Sequence, residues 1–374
     1  MKDLNKDYIK FYYQDKEPKI LNKINKVFAK DKWVNGSLIY DLEVKLKKYF
    51  KTNKVVCTCN SGTDALQLAL LLDKHKEKNI YLTTPLSYIA SSSMAKHLGL
   101  DIIYIDVDKN NYLLDLNKLE IFLNSCPIKI KKKLRGIINV EIFGSTNNLI
   151  KLKKISKKHN LTLIGDCAQS FGSEYNKKKT INYYDYSALS FYPTKIFSCY
   201  GDGGALVLNK SDLKKANLIK NNGHSKVDKE NCKLIGINSR LDTFQAYVLL
   251  RKLSSLKKTF KQRDKNSIFL KSRISQLKFP LFDKKVMQNN YIFSAYIEPK
   301  LRKKFIMHMK KNKVECLAIY KKLLNKNLCL KPYVKTNLKN ANYASKSLVC
   351  IPNHEKLNLK NMKKIVTAIN QFII

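Results

Sequence analysis

No stretch of the chain approaches the roughly 18 consecutive apolar residues of a membrane-spanning helix, so no span is expected. The opening residues, MKDLNKDYIKFYYQDK, hold no apolar core of the kind a secretory signal peptide carries. The nine cysteines have no framework spacing, and with the six histidines they form no paired metal-ligand pattern. Neither disulfides nor a metal centre is expected; free thiols in a reducing cytoplasm are. No internal repeat and no low-complexity linker is found.

Acidic residues are scarce as well. There are 29 Asp and Glu against 72 Lys and Arg, a formal net charge of +43. Read as function, that excess would point to a polyanion such as nucleic acid, an anionic membrane or a diphosphate. The lysines, however, recur in nearly every segment and form no single stripe. The densest run, KIKKK (129–133), reads as a surface loop or a helix end. The expectation is dispersed, solvated charge, with no specific nucleic-acid partner and no membrane partner.

What is present fits a globular enzyme. Hydrophobic residues make up 44% of the 374 and aromatics 10%, enough for a large domain and a smaller one. After a polar and aromatic opening, DLEVKLKKYF (41–50) reads as the end of an amphipathic helix. Seven short β-rich runs follow: VVCTC (55–59), NIYLT (79–83), DIIYI (101–105), RGIIN (135–139), LTLIG (161–165), YSALSF (186–191) and GALVL (204–208). Helical patterns such as TDALQLALLLDKH and NLIKLKKISKKH lie between several of them. This alternation predicts an α/β fold with a largely parallel sheet covered on both faces. Past residue 256 the rhythm changes. NYIFSAYIE, KVECLAIY and KSLVCIP are strand candidates, and PKLRKKFIMHMKK and NLKNMKKIVTAINQFI are helix candidates. The division expected is a large domain over 1–255, including the N-terminal segment, and a small α+β domain over 256–374.

Five motifs can carry chemistry. In CNSGTDALQLAL a strand turns through Ser61, Gly62 and Thr63 into an apolar helix, a place where backbone N–H groups favour an anion. Alone, such a turn is more often an ordinary helix cap. In LTLIGDCAQSFGS a strand delivers Asp166 at its C-terminal edge, where a buried carboxylate needs a cation. The ring nitrogen of pyridoxal phosphate would be such a cation, and Gln169 could reach the ring oxygen. In YSALSFYPTKIFSCYGDGGAL, Lys195 sits in a tight Pro-containing loop after Ser190 and before Gly201, Gly203 and Gly204. A Schiff-base lysine needs such a rigid frame. In IGINSRLDTFQAYVLLRKL, Asn238 and Arg240 precede an apolar helix; in TTPLSYIASS, Tyr88 could stack on a flat ring.

Taken in order, NSGTDAL, GDCAQSFG, SFYPTKIFSCYGDGGA, GINSRLDTFQA and the late LVCIPNHEKL resemble the DegT/DnrJ/StrS sugar aminotransferases over about residues 30–370. The resemblance implies the fold-type I architecture and pyridoxal 5'-phosphate as cofactor. It implies that Lys195 forms the Schiff base and shuttles the proton, that Asp166 holds the ring nitrogen, and that Gln169 holds the ring oxygen. It places Gly62, Thr63 and Ser190 on the phosphate and Tyr88 over the ring. Asn238 would reach the phosphate of a neighbouring subunit, which implies a homodimer with shared sites. The donor it implies is L-glutamate, and the acceptor a nucleotide-linked keto-sugar for surface polysaccharide.

Several blocks look nearest to the branch acting on UDP-2-acetamido-3-keto-glucuronate. Arg240 and Tyr320 match that branch's pocket for the sugar carboxylate. Its His before the Tyr is Ile319 here, and its Arg-His-Gly turn reads Asn222, Gly223, His224. Ring position and uronic carboxylate thus stay open. Two other classes remain at this point. One is a pyridoxal-phosphate deoxysugar dehydratase, against which Lys195 argues, since those enzymes typically carry His there. The other is a non-catalytic basic binding protein, against which the Asp166, Gln169 and Lys195 set argues.

Overall fold

Short apolar runs separated by amphipathic helices bury both faces only when the helices close over a sheet. The computed structural model of the protein describes residues 8–13, 18–225 and 230–373, and it has that arrangement. Twelve strands occur among these residues. They are β1 (Val55–Cys59), β2 (Ile80–Thr83), β3 (Asp101–Tyr104), β4 (Leu134–Val140), β5 (Thr162–Asp166), β6 (Glu174–Tyr175), β7 (Lys178–Lys179), β8 (Tyr186–Ser190), β9 (Gly204–Leu208), β10 (Val286–Met287), β11 (Phe293–Tyr296) and β12 (Leu348–Ile351).

Seven strands form the central sheet in the order β1-β9-β8-β5-β4-β2-β3. They are the seven runs expected from the sequence. Every pair from β3 to β8 is parallel, and β9 runs antiparallel to both its neighbours. Val140 lies beside Asp166, and Asp166 beside Ala188, so the C-terminal ends of β4, β5 and β8 share one edge. Because β9 is reversed, its first residue, Gly204, pairs with both Ser190 and Cys59 at that same edge. Open α/β sheets bind ligands there.

The helix Gly62–Leu72 begins where β1 ends. Ser61 caps it by accepting from the Asp64 backbone N–H at 3.1 Å, and Ala65 to Leu70 are all buried. The helix Leu149–Lys158 is capped by Asn148. The basic run near 129–133 includes the exposed one-turn helix Ile128–Lys131, as its composition predicts.

In the C-terminal part, β11 and β12 pair antiparallel, and the helices Arg302–Lys311 and Leu359–Asn370 cover them. Both helices match the expected ones. The third strand candidate, KVECLAIY, is different. It forms no strand and meets β12 only where Leu317 and Cys350 exchange hydrogen bonds, at 3.0 and 2.8 Å. Three residues later Tyr320 adopts φ 52°, which turns the chain off the ladder. Residues 8–13 dock on this C-terminal part. Ile9 bridges Val314, and the Phe11 N–H donates to Glu315 at 2.7 Å. Ile9 packs in the C-terminal core with Phe305 and Val349, whereas Phe11 joins the core of the large sheet.

Candidate active site

The sheet edge that carries Asp166 also receives the loop after β8. That loop is stiffened from below by aromatic rings. Phe197 stacks on Phe171 at 4.5 Å and meets Phe191 edge-on at 5.4 Å. The Cys199 N–H closes the loop on the Phe191 carbonyl at 2.8 Å. Gly203 is needed here, since a Cβ would sit 2.7 Å from the Cys199 sulfur. Lys195 rides on top, its N–H bonded to the Tyr192 carbonyl at 2.8 Å and its Nζ 4.9 Å from the centre of the Tyr291 ring.

Across from it is the turn of Ser61, Gly62 and Thr63. A Cβ on Gly62 would lie 2.7 Å from Cβ of Ser190, so only glycine lets the helix start against β8. The result is a helix N-terminus open to an anion. Ser239 braces the turn: its hydroxyl accepts from the Asn60 N–H at 3.2 Å and donates to Asp64 at 2.7 Å.

Asp166 is buried. Its Oδ2 accepts from the Ser91 hydroxyl at 2.6 Å and its Oδ1 from the Ala168 N–H at 3.2 Å. Burial pushes its pKa above the usual carboxylate range, and these two bonds and Lys195 pull the other way. Its hydrogen-bond donors are a hydroxyl and an amide, so an ionised Asp166 still favours a cation beside it. Gln169 is fixed at both ends of its amide. Its oxygen accepts from the Phe143 N–H at 2.9 Å, and its nitrogen donates to the Tyr320 hydroxyl at 2.6 Å. Burial also pushes the Tyr320 hydroxyl well up, so it remains protonated.

These groups surround one cavity of about 460 Å³. Gly62, Thr63, Tyr88, Asp166, Gln169, Ser190, Lys195 and Tyr320 all line it. Tyr88 does so from an exposed position. Asn238 and Arg240 do not line it. Asn238 is exposed and bridges Asn221, and Arg240 donates to the Asn221 side chain at 3.1 Å. The cavity also holds Tyr12 and Tyr291, which sequence reasoning missed. Tyr12 comes from the aromatic run FYY (11–13), whose unusual density was the one signal that could have found it. Tyr291 is set in place from behind: the buried Arg263 donates to the carbonyls of Tyr291 and Asn353, at 3.3 and 2.6 Å.

The residues present fit pyridoxal phosphate. The Gly62 turn suits its phosphate, Asp166 its ring nitrogen, and Lys195 its aldehyde. Fold and site together define a class, the fold-type I enzymes that use this cofactor to move amino groups.

The family model described as the DegT/DnrJ/EryC1/StrS aminotransferase family matches residues 14–370, and the chain belongs to that family. It is similar to UDP-2-acetamido-2-deoxy-3-oxo-D-glucuronate aminotransferase of Pseudomonas aeruginosa, at 31% identity over 243 residues, which is 65% of each chain. That match falls just short of two thirds of the relative's length. It is also similar to UDP-4-amino-4,6-dideoxy-N-acetyl-beta-L-altrosamine transaminase of Campylobacter jejuni, at 28% identity and 95% coverage of both. A solved DegT DnrJ EryC1 StrS aminotransferase from Brucella abortus superposes with a TM-score of 0.86, at 27% identity and 94% coverage of both. The protein is a sugar aminotransferase dependent on pyridoxal phosphate.

Proposed function

We propose that this chain transfers an amino group from L-glutamate to a nucleotide-linked keto-sugar, with the 3-keto position favoured, in the making of a surface polysaccharide. The observation that carries the reading is the meeting of Lys195, Asp166, Gln169 and the Gly62 turn around one cavity. The Pseudomonas relative, whose substrate is a 3-oxo sugar, supports the ring position. Its uronate is one candidate: Tyr320 lines the cavity that would receive the carboxylate, and Arg240, outside its own cavity, would reach such a group only across a dimer.

When bound, pyridoxal phosphate would carry the amino group from donor to acceptor and supply the electron sink that the proton transfers require. The chain supplies the rest. Lys195 Nζ holds the cofactor at rest, then takes and returns the proton beside the reacting carbon. Asp166 keeps charge on the ring nitrogen, and the second N–H of Gln169 is left to orient the ring oxygen. Gly62, Thr63 and Ser190 hold the phosphate, and Tyr88 covers the ring.

The same reading makes the enzyme a homodimer. Asn238 and Arg240 lie outside their own cavity, and Trp33, whose carbonyl accepts from the nearby Thr243 N–H at 2.9 Å, is 67% exposed, which supports a second copy against this face. All nine cysteines are free, in keeping with a cytoplasmic enzyme.

The test is an amination assay with glutamate across a panel of UDP- and dTDP-linked 3-keto and 4-keto sugars, with Lys195→Ala as control. Product from a 3-keto sugar that disappears in Lys195→Ala supports the reading. Product from 4-keto sugars alone overturns the ring position, and activity retained by Lys195→Ala overturns the assignment of the lysine.

A further inference from the structure

Asp166 is not presented by its own strand alone. The helix Ala90–His97 follows β2; its first turn holds the buried Ser91 and the loop just before it the buried Ser87, both behind the carboxylate. Ser91 Oγ donates to Asp166 Oδ2 at 2.6 Å, and Ser87 Oγ lies 2.7 Å from Ser91 Oγ. A hydroxyl has one proton. Ser91 has committed its own to Asp166, so Ser87 must be the donor in the second contact. The chain is therefore directed, from Ser87 to Ser91 to Asp166, and it begins at the cavity wall, which Ser87 lines.

We propose that Ser91, held in orientation by Ser87, is a positioning residue that keeps Asp166 ionised and aimed at the cofactor's ring nitrogen. The inference rests on the reading of Asp166 as that nitrogen's partner. Each Asp166 oxygen has one donor, Ala168 N–H on Oδ1 and Ser91 on Oδ2. The Ala168 amide would remain in any side-chain variant, so the Ser91 hydroxyl is the adjustable half of the support. A charged buried group that loses one of two donors shifts toward its neutral form. The ionisable groups facing Asp166 are Lys195, which favours its charge, and Cys167 and Tyr320, which burial keeps protonated.

The experiment titrates cofactor-free protein with pyridoxal phosphate over a range of pH. The proteins are the wild type, Ser91→Ala, Ser91→Thr, Ser87→Ala, Asp166→Asn and the Ser91→Ala/Asp166→Asn pair. Ser91→Ala should weaken binding about tenfold, the scale of one hydrogen bond to a buried charge. Its affinity should also begin to fall at a higher pH than that of wild type. Ser91→Thr, which keeps the hydroxyl, should restore both. In the Asp166→Asn background Ser91→Ala should add nothing, because the group it serves is gone. Equal losses in both backgrounds would mean a merely structural serine and overturn the proposal, as would unchanged affinity in Ser91→Ala. Undiminished affinity in Asp166→Asn would instead overturn the reading beneath it. If Ser91→Ala does not fold, Ser87→Ala decides: a smaller shift in the same direction supports the relay, and none overturns it.

Discussion

The amide nitrogen of Gln169 donates to the hydroxyl of Tyr320 at 2.6 Å, joining the turn after β5 to a segment 151 residues further on. The bond fixes which way the glutamine amide faces, since its oxygen is already taken by the Phe143 N–H. Both flanking residues sit in the left-handed region, Phe143 at φ 63° and Tyr320 at φ 52°. Non-glycine residues held there commonly mark functional sites. One N–H of Gln169 is left over, on a side chain that lines the cavity.

Removing the Tyr320 hydroxyl should therefore loosen the glutamine without emptying the site. In Tyr320→Phe, kcat/KM for amination should fall about tenfold, the worth of one buried hydrogen bond of about 1–2 kcal/mol. Cofactor absorbance should persist. Steady-state kinetics beside a visible spectrum check this, and an unchanged kcat/KM would detach Tyr320 from the site.

Asp166 poses the opposite problem, because it costs stability when the cofactor is away. Burial raises its pKa, so between the ordinary carboxylate value and the folded value the native state holds a proton that the unfolded chain has released. Stability then falls as pH rises through that window, and above it the fold bears the cost of a buried charge. Asp166→Asn should raise the melting temperature of cofactor-free protein at neutral pH, by about 1–2 °C for each kcal/mol relieved. The gain should vanish in acid, where the wild-type carboxyl is already neutral, and turnover should collapse at every pH. Thermal melts at the two pH values, with and without cofactor, test the sign. A variant less stable than wild type at neutral pH would contradict it.

These two cases mark what could be read from the sequence and what could not. The seven central strands were legible because a strand buried on both faces must be apolar almost throughout, as VVCTC and LTLIG are. Asp166, Gln169 and Lys195 were legible because they sit at fixed steps from those strand ends. Ser91 was not, for a serine in a helix first turn resembles any other until the fold brings the Asp166 carboxylate within reach of its hydroxyl. Tyr12 was not, because its place depends on Ile9 and Phe11 docking some 300 residues away, on Val314 and Glu315. KVECLAIY has the composition of a strand, and it fails to become one because Tyr320 has to leave the ladder for the cavity.

Asn238 allows a test of shared sites. It is exposed beside its own Gly62 turn, to which the neighbouring Ser239 is bonded, yet it does not enter its own cavity. If it serves the partner's site, Lys195→Ala and Asn238→Ala chains are each inactive alone but complementary. Equal mixing gives heterodimers with one intact site, about one quarter of all sites in a two-fold symmetric dimer. Activity of the re-equilibrated mixture should approach that fraction of wild type. Activity no greater than the two variants measured separately would place Asn238 outside any shared site.

The final prediction separates the surface charge from the chemistry. With 72 basic residues spread along the chain, any polyanion should be attracted, chiefly through the exposed lysines. Such attraction is screened over a Debye length of about 10 Å at 0.1 M salt. Contacts inside the cavity are shorter than that and partly shielded from water. Affinity for duplex DNA should therefore fall by orders of magnitude between low and physiological salt, following the release of counterions. Amination of the nucleotide sugar should change only a few-fold over the same range, because among the described residues lining the cavity Lys195 is the one lysine or arginine. Parallel measurement of DNA binding and of KM across a salt series distinguishes the two. Tight, sequence-selective DNA binding that persists at physiological salt would mean the lysines form a nucleic-acid face, whereas a KM that rises as steeply as the DNA dissociation constant would place substrate capture on the surface lysines rather than in the cavity.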